Sequence, residues 1–322
     1  MSPLQKSVAD YLELRRELGF KLARNETRLR TFLTFLAERK ATQITTKLAL
    51  QFATHDPRLA QKTMALRLSA VRGFARYHTG NDPTTEVPAL DLWPARAWPA
   101  RPYLYSETEI VRLLRAARNY PSWQRFPGPW WHRCQGWSWY CFYGLLVVTG
   151  MRVGEVRQLC DDDVDWKEGV VTVRQGKFGK SRLIPLHRTM VRALAAFVMH
   201  RDRFFARVRP QLKPQRLFVS SCGTSICITE VNRTFLRISR RIGLRAADAR
   251  KGPRLHDLRH RFAIETLLRW YRSGEQVDRL LPVLSTYLGH THVSGTYWYL
   301  RCTPELMTAA GHRLEQRWKG VR

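Results

Sequence analysis

The chain has 322 residues, 44% of them hydrophobic, and carries 55 Lys and Arg against 26 Asp and Glu, a formal net charge of +29. That apolar share supports a substantial core and excludes wholesale disorder, and the length suits two domains. A basic excess this large points to a polyanion, whose condensed counterions are released when Lys and Arg replace them. Residues 1–104 hold 17 basic and 9 acidic residues, a net of +8, and residues 105–322 hold 38 and 17, a net of +21. Both parts are therefore expected to be drawn to phosphate. The longest apolar run, Cys141 to Met151, is too short for a bilayer and reads as a buried helix. Residues 1–20 are charged and amphipathic, unlike a secretory leader. Six cysteines without Cys-x-x-Cys spacing, Cys222 and Cys227 included, are expected to be reduced rather than zinc-bound, in a soluble cytoplasmic protein.

Apolar residues at helical spacing mark 4–18 and 24–39, with Gly19 between them. In the second segment Leu29, Phe32, Leu33 and Leu36 form one stripe. A third helix is predicted over 45–54, after Thr45 and Thr46. Asp56-Pro57 stops it and opens a fourth over 59–78. There Met64, Leu68, Val71 and Ala75 point to a core, with Lys62, Arg67, Arg72 and Arg76 elsewhere on the circumference. Four short helices with little strand signal make a compact α domain over 1–80. Residues 81–104, with Pro83, Pro88, Pro94, Pro99 and Pro102, read as a proline-stiffened linker to a second domain over 105–322.

In that second domain, Ser106-Glu107-Thr108-Glu109 reads as a helix start with acids in the first turn. Residues 120–143 are dense in aromatics, among them Trp123, Trp130, Trp131, Trp137, Trp139 and Tyr140, and fit core packing or a partner-facing patch. Thr149-Gly150-Met151-Arg152-Val153-Gly154-Glu155 is a turn feeding a helix. Val170–Arg174 and Arg182–Leu186 are predicted as a hairpin with Gly176-Lys177-Phe178-Gly179-Lys180 at its tip, and Leu217–Ser220 as a third strand. From 228 the pattern is helical almost to the end. The expected fold is mainly α with a small antiparallel β-sheet.

The most informative feature is the run His256-Asp257-Leu258-Arg259-His260, with Arg152 upstream and Leu288-Gly289-His290 followed by Tyr299 downstream. Three separated segments supply two arginines, two histidines and a tyrosine. Such a set can surround a phosphodiester with positive charge and donors while a phenol oxygen attacks the phosphorus. Charge on the non-bridging oxygens needs fixed donors, and arginine offers a planar, permanently charged fork. A tyrosine of pKa about 10 is roughly one part in a thousand ionised at pH 7, so the nucleophile needs a proton acceptor.

On these boxes the chain resembles the tyrosine recombinases, or phage-integrase family, strongly over 105–310 and weakly over 4–80. The resemblance implies an N-terminal four-helix core-binding (SAM-like) domain and an α+β catalytic domain closing on DNA as a C-shaped clamp. It implies Arg152 and Arg259 on the phosphate, His256 as proton acceptor or relay, and His290 donating to a non-bridging oxygen. Tyr299, nine residues after His290, is the implied nucleophile, with Tyr297 and Tyr287 its competitors. Lys177 matches the family's general acid, with Lys180 its rival. Glu155 is expected either to orient Arg152 or to be a plain surface residue, and His260 to pack in the helix or support the catalytic groups from behind rather than to act directly.

The implied reaction is cleavage and rejoining of DNA through a 3′-phosphotyrosyl link, serving integration, excision, transposition or cointegrate resolution. The rivals are type IB topoisomerase-like relaxation and a non-catalytic DNA-binding protein. Expected partners are a double-stranded recombination site, three further copies in a homo-tetramer and an accessory protein, in a nucleoid-associated bacterial setting without membrane. Lys62, Arg67, Arg72, Arg76 and Lys180 are expected DNA contacts, with the 59–78 helix in the major groove. The segment 303–322 is expected to dock on a neighbour or fold back on its own subunit. No cofactor or metal is expected, and Asp161-Asp162-Asp163 reads as a solvated turn rather than a magnesium site. Two departures from the family pattern stand out: Ile264–Tyr287, between the second and third boxes, is longer than usual and reads as holding an inserted loop with Ser273-Gly274, and Arg261 follows His260 where a small hydroxyl residue is usual.

Overall fold

The computed structural model describes residues 2–20, 22–93, 101–120, 129–174, 181–249, 251–300 and 303–319. The chain divides into two compact units, Met1–Ala100 and Arg101–Arg322.

The first unit holds α1 (Pro3–Glu17), α2 (Ala23–Glu38), α3 (Thr46–Thr54) and α4 (Gln61–His78). Ser2 and Gln5 cap α1 reciprocally, and Pro3 sits in the first turn, where its missing N–H leaves nothing unpaired. The Thr45 hydroxyl accepts from Leu48 N to start α3. Leu29, Phe32 and Leu36 are buried as their spacing predicts. Phe35 joins them, because α2 packs against both α3 and α4 and so buries a wider face than one stripe. The Ser7 hydroxyl bonds buried His78 at 2.8 Å, tying α1 to the end of α4.

Arg72 departs from the expectation of a DNA-facing residue. It is buried, donating from Nε to Pro88 O at 2.7 Å and from its terminal nitrogen to Ala89 O at 2.5 Å. The segment read as linker is thus fastened to α4 over its first part. Glu86 adds to this, accepting from Thr46 N and donating its own N–H to Ile44 O. Residues 94–100 lie outside the described residues.

In the second unit, α5 (Glu107–Arg118) opens on the Ser106/Glu109 capping box. α6 (Pro129–Thr149) is the central helix: Trp139, Phe142, Tyr143, Leu145 and Leu146 are essentially solvent-free. It packs against α5 and α8 (Arg188–Val208). The described aromatics of 120–143 thus serve mainly the core. Trp123 and the side chains of Trp130 and Trp131 lie outside the described residues. After the short α7 (Val153–Gln158) comes an antiparallel sheet of β1 (Val164–Asp165), β2 (Val170–Val173) and β3 (Arg182–Pro185), in that order, with Val171 opposite Ile184.

The third strand expected at Leu217–Ser220 is not in this sheet. Leu217 N donates to Leu159 O and Ser220 N to Thr224 O, while in the core Phe218 stacks on Phe197 and meets Phe142 edge to face. Its apolar content reflects burial, and β1 holds the free side of β2. Asp161 and Asp163 are likewise structural. Asp161 pairs with buried Arg201 of α8 at 2.6 Å, and Asp163 accepts from Cys160 N and Arg174.

The remaining helices are α9 (Ile228–Arg241), α10 (Leu255–Arg272), α11 (Val277–Leu288), α12 (Ser294–Leu300) and α13 (Pro304–Lys319). No inserted loop separates the second and third boxes. α10 runs on to Arg272, a short turn with Gly274 at φ 75° follows, and α11 begins at Val277. Ala263, Ile264 and Leu267 pack with Leu281, Leu284, Leu288 and Tyr299 in one cluster. This cluster fixes the third box against the second. No described helix is long and apolar enough to cross a membrane.

Candidate active site

Arg152 is the N-cap of α7, directly after the left-handed turn at Gly150 that ends α6. A Cβ on Gly150 would lie 2.6 Å from the Phe262 ring, so the turn comes this close to α10 only as glycine. Arg259 projects from the first turns of α10 and is 2% exposed. It donates to Gly150 O at 2.8 Å and to Leu288 O at 2.6 Å. Arg152 donates to Gly289 O at 2.8 Å. Both guanidinium groups therefore rest on carbonyls at the ends of α6 and α11. Those carbonyls lack helical partners and carry the negative end of the helix dipole. Burial first, and then the charge of Arg152, lowers the Arg259 pKa to about 10, still far above neutrality.

Glu155 is buried and gathers the first box. It accepts from the Arg152 backbone N–H at 2.9 Å, from Arg152 Nη1 at 2.8 Å, and from Arg182 Nη1 and Nη2 at 3.1 and 2.7 Å. Burial opposes its ionisation. The hydrogen bonds and charges of Arg182 and Arg152 outweigh that and bring its pKa to about 2. The sequence alone does not single out Arg182. Its signal was there: residues 182 and 184 share one face of β3, and Ile184 is fully buried.

His290 follows the left-handed cap of α11 at Gly289 and bonds Thr296 of α12 at 2.8 Å. Burial first, then Arg259 and Arg152, lowers its pKa to about 4, which keeps it neutral near pH 7. Tyr299 is 2% exposed, with its ring 6.2 Å from that of His290. Its hydroxyl lies 3.3 Å from His260 Nδ1. The expected acceptor, His256, instead sets its ring against His260 at 4.6 Å. His256 reaches the surface, and burial of the rest of the ring, with Arg259 beside it, lowers its pKa. His260, expected as a packing residue, meets the phenol because it lies one turn beyond His256 on the same face of α10. Burial, then His256, lowers its pKa to about 4.

Arg152, Arg259, His290 and Tyr299 thus converge. Tyr297, the competitor, is 52% exposed, and Tyr287 stacks on Phe262. Arg261 donates to Tyr105 O at 2.7 Å and so ties α10 to the start of the unit. Lys177 and Lys180 lie outside the described residues. Of the other expected DNA contacts, Lys62 and Arg76 are exposed on α4, whereas Arg67 is half-buried and bonds Phe52 O.

A model described as the phage integrase family matches residues 105–305, which includes every box named above. The chain belongs to the phage integrase family. As a member it is a tyrosine recombinase, an enzyme of site-specific DNA recombination. Among integrase-family relatives, y4rB of Sinorhizobium fredii, named for an integrase/recombinase, is 46% identical over 321 residues, covering 99% of each chain. A second from the same organism, y4rE, is 34% identical over 313 residues, covering 96% of this chain and 95% of the relative. The fold is that of XerH site-specific recombinase in its post-cleavage complex with a palindromic difH substrate. That match has a TM-score of 0.65 and 19% identity, and covers 90% of this chain and 78% of the other. It is also that of a lambda integrase tetramer bound to a Holliday junction, at TM-score 0.58 and 19% identity, covering 91% and 76%.

Proposed function

We propose that this phage integrase family member cleaves and rejoins double-stranded DNA through a covalent 3′-phosphotyrosyl intermediate on Tyr299. The supporting observation is the convergence itself. Two arginines are fixed on helix-end carbonyls, and beside them a tyrosine hydroxyl lies 3.3 Å from a histidine nitrogen. Arg152, Arg259 and His290 meet the charge that grows on the non-bridging oxygens. The Tyr299 oxygen bonds to phosphorus and its proton passes to His260, with His256 next in line. The bond from phosphorus to the 5′ oxygen breaks, and that oxygen takes a proton from Lys177. A second 5′ hydroxyl reverses the step. Bond energy is kept in the tyrosyl link, so no nucleotide cofactor takes part.

The DNA site is engaged by both units, with Lys62 and Arg76 of α4 on backbone phosphates, where most protein–DNA hydrogen bonds go. Four copies act on two DNA segments, as the lambda integrase tetramer on its Holliday junction suggests. Two relatives are named for an integrase/recombinase, in keeping with a role in integration, excision or resolution, and we assign that role to a mobile element on the family resemblance alone.

The test begins with duplexes that the protein itself selects from a random-sequence pool. These are then nicked near the bound site and incubated with wild type and Tyr299→Phe. A denaturant-resistant protein–DNA adduct with wild type alone supports the reading. An adduct that survives Tyr299→Phe but is lost in Tyr297→Phe moves the nucleophile. Supercoil relaxation with no preferred site places the activity with topoisomerases instead.

A further inference from the structure

We propose that Arg182 is a positioning residue of the reaction, one that neutralises Glu155 so that the charge of Arg152 remains available to the scissile phosphate. This rests on the phosphate-binding role given to Arg152 above. Arg182 meets Glu155 fork to fork, at 3.1 and 2.7 Å, and donates its Nε–H to Tyr287 O at 2.7 Å. All three guanidinium nitrogens are thereby engaged within the protein, and only 8% of the side chain is exposed. Arg182 is therefore not built to touch DNA. Arg152 is the more open partner, with 22% of its side chain exposed against 6% for Glu155.

The arithmetic of charge gives Arg182 its task. Arg152 and Glu155 alone form a neutral pair, and an approaching phosphate meets a dipole with a carboxylate behind it. With Arg182 added, the three groups carry one net positive charge, and the carboxylate negative charge is drawn away from the open side. The paired fork also fixes the plane of the Glu155 carboxylate, and that plane sets the direction of Arg152 Nη1. Gly289 leaves room for the arrangement, since a Cβ there would stand 3.0 Å from Arg182 Nη1.

The experiment is single-turnover adduct formation on the self-selected nicked duplex, at saturating DNA. Arg182→Met is expected to slow the step about 100-fold, the order seen when one electrostatic donor is lost, while the apparent DNA dissociation constant hardly moves. Adding Glu155→Gln removes the charge that Arg182 balances, and the double variant is expected to recover most of the rate. A purely structural arginine shows no such rescue. A double variant as slow as Arg182→Met, both melting cooperatively, overturns the proposal, and so does an Arg182→Met variant with wild-type rate. If Arg182→Met does not fold, Arg182→Lys carries the test. It keeps the charge and loses the fork, and is expected to stay within about tenfold of wild type, less than the loss of a full donor. A fall to the Arg152→Ala level overturns the idea. Full activity in Arg152→Ala refutes the phosphate role beneath it. Wild type that forms no adduct on any selected duplex refutes the tyrosyl chemistry as well.

Discussion

His260 Nδ1 lies 3.3 Å from the hydroxyl of Tyr299, in a cluster that also holds the His290 ring. The histidine that opens the box, His256, stacks edge to face on His260 instead. A base within hydrogen-bond reach is the first requirement for a phenol to lose its proton.

His260→Ala is therefore expected to slow adduct formation by roughly 10²–10⁴, the range for one general base. His256→Ala should cost less in that step if it acts only through His260. Single-turnover adduct yields of both variants on one nicked duplex check this, and equal rates for His260→Ala and wild type would return the proton to His256.

Acidification should weaken the second unit in two separate windows. His260 and His290 have pKa values lowered from 6.5 to about 4. Between those limits the unfolded chain binds protons that the folded chain does not, so stability falls as pH drops from 6.5 toward 4. Glu155, lowered from 4.5 to about 2, adds a second loss as pH falls from 4.5 toward 2. Melting temperatures measured across pH should show a shallower upper slope in a His260→Gln, His290→Gln variant and a shallower lower slope in Glu155→Gln.

Gly289→Ala should damage the site more than the fold. The residue has φ 67°, and a Cβ would stand 3.0 Å from Arg182 Nη1 and 3.4 Å from Arg152 Nη1. Left-handed backbone with a side chain costs about 1–2 kcal/mol, seen as a lower melting temperature. Displacement of the two guanidinium groups should cut the adduct rate by about tenfold or more, part of the loss expected for one whole donor.

On α4 two arginines should separate cleanly. Arg72→Met removes charged hydrogen bonds to Pro88 O and Ala89 O and should destabilise the first unit by about 1.5–3 kcal/mol. Arg76→Ala should leave stability unchanged, weaken DNA binding, and reduce the slope of log affinity against log salt by about 0.9. Unfolding curves and salt titrations measure both. An unchanged salt slope in Arg76→Ala would remove α4 from the DNA contacts.

Much of this was legible in the sequence because it depends on local rules. Helix spacing marks α1 to α4, the Ser106/Glu109 pair marks the start of α5, and two short apolar runs flanking a glycine-rich stretch mark β2 and β3. The arginines, His290 and Tyr299 were legible as chemical types at family spacings. What stayed hidden depends on tertiary partners. Whether Arg72 faces DNA or the 88–89 carbonyls is decided by a segment 16 residues away. Arg182 matters because Glu155, 27 positions upstream, is buried beside it. Leu217–Ser220 has strand composition, but Leu159 and Thr224 take its hydrogen bonds.

Three guanidinium groups crowd one small volume, held apart by one carboxylate and by backbone oxygens of Gly150, Tyr287, Leu288 and Gly289. Before any polymer arrives, the fold bears the mutual repulsion of these cations. A bound phosphate relieves it, so the empty enzyme should be the softer form and the occupied one the more heat-resistant. Small oxyanions such as sulfate or vanadate should reproduce part of that hardening, and should lose this effect when Arg259 is replaced.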